Sequence, residues 1–312
     1  KFSLPMIAGN VFQQAYHIID SIIVGKLLGV EALAAVGASF PIIFAFLSLL
    51  IGIATGSTIV IAQYFGAKDI EKVKRTINTL FVFLIIASII VSIVSIYFSE
   101  DLFRLLKLPE EIMPQAKLYF NIFMGGIIVS FGFNGISAIL RGLGDSKTPL
   151  YFMIIATLVN IVLDLLFVLV FKWGIAGVAV ATVIAQGGAF VTAVIYLNRT
   201  HKIIRFSFKE LTFDWQIFYK SLRIGLPTGI QQTFVALGMM ALVSIVNRFG
   251  TNVIAAFSVA TRIDSLASMP AMNFSAALSS FVGQNIGAGK IDRVKAGFVA
   301  TLKMSSIISV LV

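Results

Sequence analysis

The chain contains no cysteine. Disulfides and thiolate metal sites are therefore excluded. Charge is scarce as well. Only 12% of the 312 residues are charged, against about 25% in a soluble domain. There is no HExxH, no GxSxG and no P-loop, which speaks against an enzyme or an ATP-driven pump. No polar connection is long enough to form a soluble domain. Apolar residues fill the gap: 58% of the chain is hydrophobic and the mean hydropathy is +0.98. The apolar runs are long, unlike the ten-residue alternation of a membrane barrel. These features predict an all-α polytopic membrane protein. The net charge of +10 fits basic loops at a membrane better than nucleic acid.

The hydrophobic pattern places spans at 4–28, 33–62, 76–98, 116–140, 149–171, 174–197, 222–247 and 251–282, with a ninth from about 295. With the N-terminus inside, cytoplasmic segments hold sixteen Lys and Arg and outer segments six. The positive-inside rule therefore orients the N-terminus to the cytoplasm. No cleavable signal peptide is expected, because the first span has a charged centre. Residues 99–112 read as a short amphipathic outer segment.

The chain repeats. QYFGAKDIEKVK at 63–74 matches QNIGAGKIDRVK at 284–295, an offset of 221. Six spans separate the copies, so both run in the same direction. That is a parallel repeat about an axis along the membrane normal. The expected organisation is an N-lobe at 1–199 with spans 1–6, a cytoplasmic linker at 200–220, and an incomplete C-lobe at 221–312 with spans 7–9. Two full six-helix copies would need about 440 residues and twelve spans, so roughly three spans are expected beyond Val312.

The first span is the least ordinary. Asn10, Gln13, His17 and Asp20 step by three, four and three, which forms one stripe on a helix. A carboxylate at the bilayer centre costs about 2.5–3.5 kcal/mol on insertion scales. Asp20 must therefore face protein, a cavity or a cation. Asp164 and Asp264 also lie at membrane depth. Asn160 is one turn before Asp164, and Thr157 precedes both. Thr182 and Gln186 form a similar pair, and Asn134 and Ser137 lie in the fourth span. Two carboxylates with an amide suit Na⁺. Two carboxylates alone suit a proton. The residues leave both open, and the amides and hydroxyls can equally act as interhelical glue. Asp264 is read as pairing with Arg262 or walling a cavity, and His17 as a hydrogen-bonding wall residue.

Several motifs, in order, resemble the multidrug and toxic compound extrusion (MATE) family, bacterial type. They are Asp20-x₄-Gly25-x-x-x-Gly29, Ala32-Leu-Ala-Ala35, Arg141-Gly-Leu-Gly-Asp145, Asn160-x₃-Asp164 and the Gly-Ala steps at 66 and 287. The resemblance covers the whole chain. It implies two six-helix lobes in a V and alternating access driven by H⁺ or Na⁺ antiport. Its substrates would be amphipathic, often cationic, compounds. By motif, the family's coupling site falls on Asp20, Asn160, Asp164 and Thr182. Gln13, Tyr16, Tyr119, Asn134, Met153 and Thr157 resemble its substrate-lining residues. Pro5 resembles the proline where its first helix bends. The resemblance implies no cofactor beyond the coupling ion, no metal other than Na⁺ at that site, a monomer, and an inner-membrane location. One departure stands out: no acid occurs from Leu222 to Val246, where some members carry a glutamate of a C-lobe Na⁺ site.

Gly142-Leu-Gly-Asp145 also matches the GxGD of intramembrane aspartyl proteases, but its setting before Ser-Lys-Thr-Pro reads as a turn and helix cap. A flippase for a lipid-linked precursor shares the architecture but calls for a basic cavity. A channel needs no coupling ion. The acid pair favours an antiporter over both.

Overall fold

A computed structural model describes residues 2–106, 108–200, 211–246 and 251–311. These residues form helices and no strand. The order is α1 Ser3–Leu27, α2 Val30–Gly66, α3 Ile70–Tyr97, α4 Ser99–Leu105, α5 Met113–Gly125, α6 Ile127–Gly142, α7 Lys147–Leu165, α8 Gly174–Thr200, α9 Trp215–Val246, α10 Thr251–Gly287 and α11 Ile291–Leu311. Four are long and apolar enough to cross a bilayer alone: α2, α3, α8, and α7 with the π-helical turn Leu166–Val170 that continues it. The pair α5 and α6 makes a fifth span, bent by 50°. The expected span over 116–140 is therefore present but bent, at Gly125 and Gly126. Helix α9 starts at Trp215, inside the stretch read as linker, and Asp214 Oδ1 caps it by accepting from Gln216 N and Ile217 N.

The helices sort their faces by solvent. Along α7, Tyr151, Ile155, Leu158 and Val162 are exposed, whereas Thr148, Phe152, Asn160 and Asp164 are buried. The exposed set recurs every three or four residues and the buried set at multiples of four, so one face meets lipid and the other meets protein. Along α3, Ile86, Ile89, Ile90 and Ile93 form the outward face. The N-lobe core packs Phe81, Phe103, Phe120, Met124, Phe131 and Ile139, all at most 2% exposed. Lipid supplies little hydrophobic drive, so close packing and internal hydrogen bonds must hold the helices together. Thr58 Oγ1 of α2, for example, donates to Ala138 O of α6 at 3.2 Å as well as to Ala54 O in its own helix.

The lobes meet on glycine. An added Cβ on Gly52 of α2 would lie 2.7 Å from Gly229 Cα of α9. Gly56 meets Gly225 in the same crossing. Farther along, a methyl on Gly66 would overlap the Gln284 carbonyl, and one on Gly287 would overlap the Gln63 carbonyl. Those four residues are the repeated pairs at offset 221, so the repeat is realised as a reciprocal α2–α10 crossing. Gln284 Nε2 also donates to Gly142 O at 3.0 Å. Nearby, Asp214 N donates to Thr79 Oγ1, Arg75 lies 3.9 Å from Asp214, and Lys220 Nζ lies 4.5 Å from the Tyr64 ring centroid. The lobes are thus joined at the ends that carry most of the basic residues.

The GxGD match is a cap, as its setting suggested. Asp145 Oδ1 accepts from Lys147 N and Thr148 N, both at 3.0 Å, at the start of α7. Gly144 takes φ +94°, a turn conformation that favours glycine.

Candidate functional site

Three helices supply the site. Helix α1 brings Tyr16 and Asp20, α7 brings Asn160 and Asp164, and α8 brings Thr182. Asp164 is fully buried, Asn160 is 2% exposed, Thr182 5% and Asp20 8%. The Asp20 and Asp164 carboxyls approach each other across the α1–α7 boundary. The Asn160 amide bridges the next gap. Oriented to satisfy both ends, its Nδ2 donates to Asp164 Oδ2 at 3.0 Å and its Oδ1 accepts from Thr182 N at 3.2 Å. The amide also lies 3.4 Å from Thr182 Oγ1. Tyr16 Oη is 3.5 Å from that same hydroxyl. Asp20 Oδ1 and Asp164 Oδ1 are buried and have no protein partner. An unpartnered buried carboxylate oxygen costs several times what an ordinary hydrogen bond contributes. Chemically, such an arrangement can accept a proton between the carboxyls, or a hard cation among their oxygens. Among the described residues no group of three His, Cys, Asp or Glu gathers.

The remaining sequence-predicted residues scatter around this core. Tyr119 is buried, stacked on Phe123 at 6.3 Å, and close enough to feel the charge of both acids. Thr157 is half-buried on α7. Gln13 and Asn134 stand on exposed faces of α1 and α6, and Asn134 Nδ2 returns to Ser130 O at 2.8 Å. Met153 packs against Gly9, farther down α1. Pro5 sits in the first turn of α1, where its missing N–H is not needed. His17 lies between Tyr16 and Phe40, with ring centroids at 5.1 and 5.8 Å. Asp264 is exposed, and the Arg262 side chain lies outside the described residues.

Two contacts were not anticipated. Gln186 accepts a short hydrogen bond from Ser130, which joins α8 to α6 one turn from Thr182. Asn10 Nδ2 donates to Asn273 Oδ1 at 3.1 Å, across the lobes. Polarity in an otherwise apolar run was the available signal for Asn273.

Parallel helical repeats and long apolar helices define a polytopic membrane protein, with a buried carboxyl pair between α1 and α7. A family model, MatE, matches residues 5–166 and 227–312. The chain belongs to the MatE family. It is 40% identical over 293 residues to the probable multidrug resistance protein YpnP of Bacillus subtilis, a match covering 94% of this chain. It is 35% identical over 301 residues to the probable multidrug resistance protein YoeA of the same organism, again over 94% of the chain. The chain spans 65% of the length of each. It also superimposes on the outward-facing conformation of a multidrug resistance MATE family transporter of the MOP superfamily. There the TM-score is 0.90 at 26% identity, over 98% of this chain and 68% of the other.

Proposed function

We propose that this chain belongs to an ion-coupled antiporter that exports amphipathic, often cationic, molecules by alternating access. The carrying observation is the Asp20–Asp164 pair: two carboxyls from different helices, buried near each other, each with one oxygen that no protein group satisfies. Occupation of the pair by H⁺ or Na⁺ halves its charge, from −2 to −1. The less negative pair holds a cationic substrate more weakly and resists closer packing of α1 on α7 less. Ion and substrate therefore compete, and an inward ion gradient drives outward substrate flux. The names of the bacterial relatives support drug-like substrates. The lobe contact at the basic ends supports a conformation closed to the cytoplasm. The basic asymmetry supports an inner-membrane protein with a cytoplasmic N-terminus.

The reading is tested with full-length protein in proteoliposomes, by ethidium efflux under an imposed H⁺ gradient and then an imposed Na⁺ gradient. Efflux that requires one gradient is expected, and the gradient identifies the ion. Equal efflux with no gradient would overturn the antiporter reading and favour a channel. No efflux under either gradient would return the choice to a flippase for a lipid-linked precursor.

A further inference from the structure

The two interlobe crossings that the repeat relates are not alike. On one side α2 meets α9 through Gly52, Gly56, Gly225 and Gly229, with backbone against backbone. At offset 221 the matching positions of the α1–α10 side are Asn273, Ala277, Leu4 and Ala8. All four glycines have become residues with side chains, so these backbones cannot approach as closely. A single interlobe hydrogen bond stands at that position, from Asn10 Nδ2 to Asn273 Oδ1. It is a prepared contact. Asn273 is 4% exposed, and its own Nδ2 donates to Met269 O at 2.8 Å, which turns its carbonyl oxygen to α1. On the other helix, Asn10 begins the polar stripe that ends at Asp20, ten residues and about 15 Å away.

We propose that the Asn10–Asn273 hydrogen bond is a breakable latch linking the Asp20 helix to the C-lobe, while the α2–α9 glycine crossing is the fulcrum about which the lobes turn. The glycine seam exposes little that water or lipid could re-satisfy, and separating it forfeits close contact along two helices. The latch consists of two neutral amides and is replaceable by water. Interhelical hydrogen bonds in membranes average about 0.6 kcal/mol, so the latch can open at each cycle. Movement of α1 when Asp20 changes occupancy then reaches the C-lobe first through Asn273. This rests on the coupling role proposed for Asp20.

The test uses full-length protein with Asn10→Cys and Asn273→Cys as its only cysteines, joined by a short bis-methanethiosulfonate. The cross-linked protein is expected to lose ion-driven ethidium efflux and to regain it on reduction. Cross-linking yield is expected to fall when the gradient is imposed, and to stop responding when Asp20→Asn is added. Gly52→Ala, whose added methyl would lie 2.7 Å from Gly229 Cα and force the α2–α9 backbones apart, is expected to reduce gradient-driven efflux, and full efflux by that variant would overturn the fulcrum. Full efflux by the cross-linked Asn10–Asn273 protein would overturn the latch while leaving the antiporter intact. If no variant transports under any gradient, the antiporter reading fails. The yields then still decide the latch: dependence on Asp20 supports it, and independence overturns it.

Discussion

Gly66 and Gly287 offer a direct perturbation of the basic-end closure. Each faces a carbonyl of the partner helix so closely that an added methyl overlaps it. The obstacle is backbone, not a flexible side-chain tip, so α2 and α10 must part. Overpacking of this kind costs about 1–3 kcal/mol. The helix-propensity gain of Gly→Ala, about 0.5–1 kcal/mol, acts in both conformations and cancels. The whole penalty therefore falls on the state in which the crossing is closed. A bias of 1–3 kcal/mol shifts populations by about 5–150-fold. The reporter is Ser280→Cys, a position 2% exposed on α10 that borders the cavity at the basic ends. Labelling by an impermeant maleimide from the basic side is expected to quicken by that factor in Gly66→Ala and in Gly287→Ala. Gly37→Ala and Gly188→Ala, where an added Cβ meets nothing within 4 Å, are expected to leave the rate unchanged. Unchanged labelling in correctly folded Gly66→Ala and Gly287→Ala would refute the closure argument.

Other outcomes follow from the same geometry. Asn160→Ala removes the amide between Asp164 Oδ2 and Thr182 N and is expected to weaken coupling-ion affinity about 5–150-fold, the equivalent of 1–3 kcal/mol, in direct ion-binding titrations. Asp145→Ala removes the cap of α7 and is expected to cost about 1 kcal/mol in thermal unfolding while leaving the ion dependence of efflux unchanged. Hydrogen bonds from the Lys72 backbone and side chain hold the exposed Asp69 carboxyl below its ordinary 3.8. Its contribution at the start of α3 is therefore present above pH 3.8 and lost only as acidification passes through the lower folded value. Acid titration of helix content in wild type and Asp69→Ala should converge only below that point.

Much of this architecture was legible in the chain. The 3–4–3 spacing of Asn10, Gln13, His17 and Asp20 marks a face that lipid will not accept, and Asp20 does turn inward onto Asp164. The Asn160–Asp164 spacing put an amide and a carboxyl on one helical face, and the amide bonds that carboxyl and links it to Thr182 of α8. The 221-residue offset became the reciprocal contact of Gly66 with Gln284 and Gly287 with Gln63. What stayed hidden depends on packing. The bend between α5 and α6 has a local signal in Gly125-Gly126, but glycine pairs also occur unbroken, as at 187–188 within α8. The π-helical turn after Leu165 has no local signal at all. The Asn10–Asn273 contact spans 263 residues and needs both lobes in place. How far each polar residue is buried was also hidden: Gln13 and Asn134 are exposed whereas Asn160 is buried, because helix rotation is set by neighbours.

The central claim is that Asp20 and Asp164 hold the coupling ion and release it when substrate binds. The most direct measurement is ion release on adding ethidium to detergent-solubilised full-length protein in weakly buffered solution, read with a pH electrode and in parallel with a Na⁺ electrode. Wild type is expected to release one of the two ions, and the Asp20→Asn/Asp164→Asn protein neither. Equal release from the doubly substituted protein would contradict the account and place coupling elsewhere in the molecule.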